Sequence, residues 1–478
     1  MKHILSLFSF LVFACSNILG EETGFFIVAP DGSGSHQTIQ AAIDDAPEAI
    51  RTLIFIKNGT YKEYVSVGSK NNSTSKKISL IGESRDGVVI TSDKNREDNG
   101  LTFEDITTLK VYAKDFYAEN LTIENTAGSG RSEALYTHAD RYTFQNVRLL
   151  STQDTYKSND ATRGYFRNSL IQGTVDFIYG GGTIFFDDCT ISCIHGGGYI
   201  TAPSEASVLI KRTLTEAGIF LRVGFIFRNC DITANSDVKE NSYYLGRPWK
   251  ERCGSAFLQC RLGNHIHPAG WKEWNGSETS ATMGEYLNTD AAGNLLKTDN
   301  RATWSYQFLK NDVERYLTPE YIYGVLNASE AYNPEKLCLT PAKPTNFQIT
   351  DDLLLWDSME DAAGYLIYKN GKLVTAVNAS TTLFPIMERG VYSLRSFSQN
   401  GALGPIAEVA TGIQTVQSDR LHITVCDHTL TLSEKANISL FSITGKLLVS
   451  ENNTENISLQ GIPAGIVIAK VICLDGTI

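Results

Sequence analysis

The chain has 478 residues, more than one ordinary domain holds, and its 42% hydrophobic and 10% aromatic content belongs to a globular protein able to bury a sizeable core. Its 42 lysines and arginines stand against 53 aspartates and glutamates, a net charge of −11, so it lacks the basic footprint of a nucleic-acid binder, and any polyanion must be held by local basic groups. After the first twenty residues no apolar run is long enough to span a bilayer, so neither a transmembrane segment nor a nucleic-acid partner is expected.

The N-terminus reads as an export signal over residues 1–20. Met1-Lys2-His3 is a short basic stretch, Ile4 to Ala14 is an apolar run, and cleavage after Gly20 would precede Glu21-Glu22. A second route stays open: Val12-Phe13-Ala14-Cys15 resembles a bacterial lipobox and would leave a lipidated Cys15. The expectation is an exported protein that is periplasmic, attached to an outer membrane, or secreted. Further on, His36 to Ile43 carries apolar residues at i, i+3 and i+4, the pattern of a short helix that could cap the open end of a solenoid.

From residue 120 onward one pattern recurs: an aromatic residue, Asn or Asp two positions on, then Ile or Leu three positions later. It appears as Phe144-Gln145-Asn146-Val147-Arg148-Leu149, Phe166 to Ile171, Phe186 to Ile191 and Phe227 to Ile232, with weaker copies at Asn120 to Ile123 and Phe257 to Leu262. The steps between Asn/Asp positions are 26, 22, 20, 41 and 30 residues, and the step of 41 reads as two coils of a solenoid. Each copy alternates with a strand period. Stacking such strands places Phe over Phe and Ile over Ile inside, with the Asn/Asp row at the bends. Cys189, Cys230 and Cys260 fall on the inward row of Val147 and are read as buried free thiols. The expected fold is all-β: a right-handed parallel β-helix over about residues 24–325, followed by two small β-sandwich-like domains.

Two polar segments sit in this ladder, Ser151-Thr152-Gln153-Asp154-Thr155-Tyr156 and Gly173-Thr174-Val175-Asp176-Phe177-Ile178-Tyr179-Gly180. Asp154 and Asp176 are 22 residues apart, and each lies eight residues after its ladder Asn. Equivalent positions on adjacent coils would bring two carboxylates together, and like charges that close split their proton affinities into one acid and one base or nucleophile.

These segments resemble the pectin methylesterase family, whose signatures include a Gln-Asp-Thr triplet and a Gly-Thr-Val-Asp-Phe-Ile run. Gly59-Thr60-Tyr61-Lys62-Glu63, Gly198-Tyr199-Ile200-Thr201-Ala202, Leu245-Gly246-Arg247-Pro248-Trp249, Pro268-Ala269-Gly270-Trp271 and the Arg301 to Tyr316 stretch also match, in order. The resemblance implies metal-free and cofactor-free hydrolysis of methyl-esterified homogalacturonan or a related pectic polysaccharide, by a protein acting as a monomer. Carried over by position, Asp176 is the nucleophile, Asp154 the general acid and then base, and Gln153 the oxyanion donor. Arg247 orients Asp176, while Trp249, Tyr179, Arg131 and Thr155 contribute to substrate binding.

One departure stands out. Where the family has Gln before Ala-Val-Ala-Leu, gapless alignment on Ala134-Leu135 places Arg131. A second oxyanion donor is then absent, supplied by Arg131, or displaced into Ser132 or Glu133. The stretch from Pro203 to Val223 is long and is expected to reshape one groove wall. Rival motifs are weak: Gly130-Arg131-Ser132-Glu133-Ala134 lacks the second glycine of a serine elbow, and His265 and His267 have no third ligand.

Pro341-Ala342-Lys343-Pro344 marks a linker. Residues 345–412 resemble a fibronectin type III sandwich, and 414–478 resemble the small C-terminal β-domain of many exported Bacteroidetes proteins, where it often serves sorting. Two other functions remain in view: a catalytically silent galacturonan-binding β-helix, and an esterase for another acyl group of a pectic side chain.

Overall fold

The computed structural model describes residues 24–71, 74–97, 100–205, 213–214, 220–325, 327–350, 353–388, 390–410, 423–426, 429–442, 447–460, 462 and 467–473. The export segment and Cys15 lie outside the described residues.

The repeating strands wind into a parallel β-helix. Each full coil gives one strand to each of three sheets, as Tyr142–Gln145, Arg148–Leu150 and Tyr156–Ser158 do, followed one coil later by Arg163–Arg167, Leu170–Gly173 and Val175–Gly180. The sheets hold eleven, eight and seven strands among the described residues, and every adjacent pair within them is parallel where its register is defined. Side chains inside therefore stack on their own kind. Phe144, Phe166, Phe186, Phe227 and Phe257 form a column with centroid spacings of 4.7, 5.0, 4.5 and 4.3 Å and planes within 11° of parallel. Beside it run Ile123, Leu149, Ile171, Ile191, Ile232 and Leu262, paired rung to rung.

The Asn/Asp row turns the corner after each of these strands. Asn120, Asn146, Asn168, Asp188, Asn229 and Gln259 all have φ between 49° and 62°, the left-handed region that short polar side chains tolerate best. The Asn146 amide donates to Asn120 Oδ1 (2.9 Å), tying one coil to the next. Cys189, Cys230 and Cys260 lie inside this corner, at most 1% exposed, and the six described cysteines with assigned state are all free.

One expectation is corrected. The step of 41 residues is one coil, because Ile184–Asp187 pairs directly with Phe225–Arg228. The surplus residues lie in sequence between Gly198–Pro203 and Phe225, and among the described ones Thr213–Leu214 and Phe220–Leu221 pair antiparallel. An insertion of about one coil's length mimics an extra rung in residue counting.

The helix Ile39–Asp45 closes the N-terminal end with Ile39, Ala42 and Ile43 buried in the main core. Thr38 Oγ1 accepts from Ala41 N, and the Glu63 carboxylate accepts from the free N–H groups of Ile39 and Gln40 (both 3.0 Å). On the outer face of the eleven-stranded sheet, segments between 308 and 339 form a second core in which Tyr323 donates to Gly164 O and Thr183 O. This first compact unit runs to Leu339.

Residues from Thr340 onward form a separate unit. In it a three-stranded sheet (Gln348–Thr350, Leu353–Leu355, Leu383–Pro385) and a four-stranded sheet (Gly364–Lys369, Lys372–Asn378, Val391–Phe397, Leu403–Ala410) share a core of Leu354, Trp356, Tyr365, Ile367, Phe384 and Leu394. Among the described residues after 422, strands Ile423–Cys426, Thr429–Ser442, Leu447–Ser458 and Val467–Cys473 make one antiparallel sheet.

Candidate active site

Asp154 and Asp176 occupy equivalent points of successive coils, where the chain passes from the eight-stranded to the seven-stranded sheet. Tyr156 pairs with Ile178 in register, and Asp154 N donates to Val175 O (3.2 Å). Both residues are left-handed, with φ of 64° and 50°, and both are 8% exposed. The bend before Asp176 needs glycine: a Cβ on Gly173 would lie 2.2 Å from Phe177 Cβ and 2.7 Å from Thr152 O.

The two carboxyls differ in their neighbours. Asp176 takes both arms of a guanidinium fork, Arg247 Nε to Oδ1 at 3.0 Å and Nη2 to Oδ2 at 2.5 Å. Burial raises its proton affinity above the ordinary aspartate range, while the Arg247 bonds and charge pull the other way. Asp154 has no such fork. Burial first, then the charges of Glu133 and Asp176, push it up to about 8, against weaker opposition from Arg131 and a hydrogen bond from the Gln153 side chain. The pair therefore offers a carboxylic acid at Asp154 and an ion-paired carboxylate at Asp176 near neutrality.

Arg247 is itself clamped. Its guanidinium carbon lies 3.9 Å from the Tyr199 ring centroid and 4.0 Å from that of Trp274. These two aromatics were not singled out by sequence reasoning for this role. They come from separate coils, and their spacing along the chain gives no sign that they meet. Trp249 is half-buried and makes an edge contact with Tyr179 (6.0 Å). It borders a cleft of about 690 Å³ that also includes Phe103, Tyr136, His138, Lys70, Lys157, Lys250 and Arg252. Lys157 follows Asp154 by three residues and lies 3.3 Å from the Phe103 ring centroid, with its proton affinity lowered by burial.

The side chains of the other sequence candidates are engaged within the protein. Thr155 is fully buried and its hydroxyl donates to Gln172 O (2.8 Å), which pins the turn. Tyr179 is 8% exposed and spends its hydroxyl on Glu133 Oε1 (2.7 Å). Arg131 does pair with Gln153 across the coils, but its Nε donates to Glu97 (2.8 Å), away from a free oxyanion role. Ser132 is buried and bonded to Ser151 Oγ (2.7 Å), which removes it as donor and as serine nucleophile. His265 is buried, while His267 accepts from Ala269 N and stacks on Tyr244. Among the described residues no three His, Cys, Asp or Glu side chains group to hold a metal ion, and no helix is long and apolar enough to cross a membrane.

The chain is similar to known proteins in sequence and in fold. The sequence profile of the family described as Pectinesterase matches residues 26–325. A pectinesterase of Daucus carota is 34% identical over 288 residues, covering 58% of this chain and 85% of that protein. The pectinesterase/pectinesterase inhibitor U1 of Solanum lycopersicum is also 34% identical over 288 residues, and the match spans 58% of this chain but only 47% of that longer protein. Among solved structures, pectin methylesterase from carrot superposes with a TM-score of 0.56 at 30% identity, covering 66% of this chain and 98% of its own. PemA, a pectin methylesterase from Erwinia chrysanthemi, gives 0.50 at 26%, covering 63% and 96%.

Proposed function

Because the chain belongs to the pectinesterase family of carboxylic ester hydrolases, we propose that it hydrolyses C6 methyl esters of galacturonate residues in pectin, releasing methanol and pectate. The observation that carries this reading is the register-matched aspartate pair with unequal neighbours, one held by the Arg247 fork and one pushed up to about 8. Asp176 attacks the C6 carbonyl carbon, and the tetrahedral oxyanion is met by the Gln153 amide. Collapse expels methoxide as methanol, with Asp154 giving up its proton, and leaves galacturonate joined to Asp176 as an acyl anhydride. Asp154, now ionised, takes a proton from water as the hydroxyl attacks that acyl carbon. Asp176 departs as carboxylate, and Asp154 is protonated again. Losing one oxyanion donor of this kind typically costs about 10²–10³ in turnover.

The cleft bordered by Trp249 and Lys157 supports a sugar substrate. It carries Lys70, Lys157, Lys250 and Arg252 among Asp160, Glu205 and Glu251, with Phe103, Tyr136 and Trp249 as rings on which sugars can pack. Residues 1–20 support export, by a cleaved signal or a lipidated Cys15, and the β-domains after the linker support spacer, attachment or sorting roles.

Methanol release from highly methylated homogalacturonan in EDTA, wild type against Asp176→Asn, tests the reaction. Wild type alone is expected to release methanol. A second reading draws on Arg131, which stands at the family Gln and is tied to Glu97: galacturonan binding without turnover, or action on another acyl group. Binding without release would establish the first, and acetate release would establish the second.

A further inference from the structure

Glu133 is fully buried, yet only one of its carboxylate oxygens is satisfied. Oε1 accepts from the Tyr179 hydroxyl (2.7 Å), while Oε2 has no hydrogen-bond partner among the described residues. Leaving a buried carboxylate oxygen unpaired is costly, and such an atom calls for an explanation beyond packing.

Its position supplies one. Ser132 N donates to Gln153 O (3.1 Å) and Ala134 N donates to Thr155 O (2.9 Å), so Glu133 and Asp154 lie between the same two rungs on neighbouring coils. Adjacent parallel strands are about 4.8 Å apart. Tyr179 sits on the coil after Asp154, in the strand of Asp176, and its bond to Glu133 therefore spans the coil of Asp154. Resting on the esterase reading above, we propose that Glu133, anchored by Tyr179, is a positioning residue that keeps the transferable proton on Asp154.

The partition of charge follows from the neighbours. Two carboxyls on facing positions of neighbouring coils compete for a proton, and the charge of Glu133 acts on Asp154. Burial raises the proton affinity of Glu133 above the ordinary glutamate range, but the Tyr179 hydroxyl that it accepts from and the Lys157 and Arg96 charges oppose that rise. Asp154 faces Glu133 and Asp176 as like charges, with only Arg131 and Gln153 in opposition. The proton settles on Asp154, the group that must give it to methanol, and Glu133 touches neither substrate nor reacting atoms.

The test is the pH profile of kcat and KM for Glu133→Gln, which keeps shape and an acceptor for Tyr179, and for Glu133→Asp, which keeps the charge. With Glu133→Gln the basic limb of kcat is expected to move down by about one pH unit, roughly a tenfold loss at pH 9, with KM unchanged. Glu133→Asp is expected to stay near wild type. Superimposed wild-type and Glu133→Gln profiles would overturn the proposal. A second readout needs no turnover, so failure of the esterase reading stays separate. The Tm gain of Asp154→Asn over its parent, compared at pH 5 and pH 9, reports where Asp154 holds its proton. That gain is expected to be smaller at pH 9 in the Glu133→Gln background, and equal gains would refute the role of Glu133 even in a chain that releases no methanol.

Discussion

Asp154 and Asp176 share backbone conformation, register and burial, and part company only in what they touch. Asp176 meets a guanidinium fork; Asp154 meets a second carboxylate. The site is therefore costly to the fold, and the sign is definite. An aspartate whose folded proton affinity is raised from 3.8 to about 8 favours the folded state fully below pH 4, and that contribution is lost as pH rises toward 8. Asparagine removes the charge and tolerates the left-handed φ of 64°. Asp154→Asn should therefore match the wild-type Tm at pH 4 and exceed it increasingly toward pH 9, in thermal melts, while losing turnover. Equal melting at all pH values would mean that Asp154 ionises freely. The same two groups frame catalysis. Activity should fall above about pH 8 as Asp154 loses its proton, and fall on the acid side as Asp176 gains one, at a pH above the ordinary aspartate value.

The strand ladder is an element that reports its own register. Because one coil lies directly on the next, the spacing of Phe144, Phe166 and Phe186 in the chain was enough to predict a stacked column. The left-handed row explains why Asn and Asp recur two residues later: that corner has positive φ in each of the coils from Asn120 to Gln259. Phe186 sits between Phe166 and Phe227 with no exposed surface, so Phe186→Ala should cost about 3–5 kcal/mol, read as a lower urea midpoint with unchanged m-value. A loss under about 1 kcal/mol would show that neighbouring coils collapse into the gap. Counting alone failed at the step of 41 residues. An insertion between strands and one further coil look identical in a sequence, and only the direct pairing of Ile184–Asp187 with Phe225–Arg228 separates them.

At the scale of the whole molecule, the chain divides into a unit ending at Leu339 and a unit beginning at Thr340. The candidate site draws every residue from the first. Residues 24–339 expressed alone should fold and release methanol from soluble pectin with kcat/KM within about twofold of the full chain, well under the 1.4 kcal/mol that a tenfold change represents. A large loss would assign the later β-domains a part in substrate capture. The end at Leu339 has a physical basis: Tyr323, Tyr332 and Cys338 are buried against the outer face of the eleven-stranded sheet, and cutting before them would uncover it.

The sequence by itself determined the parallel β-helix, the register of Asp154 with Asp176, and the partnership with Arg247 that the family resemblance implies. The first two features are periodic, and periodicity is visible in a linear chain; the third joins residues 71 apart in the chain and came from the resemblance alone. Tertiary structure alone decided what each polar side chain does once there. It turned Thr155 inward, tied Arg131 to Glu97, gave the Tyr179 hydroxyl to Glu133, and closed Tyr199 and Trp274 around Arg247. Residues from different coils meet there through side-chain direction and reach. Spacing along the chain fixes the coil on which a residue sits, but not the neighbour that its last atoms find.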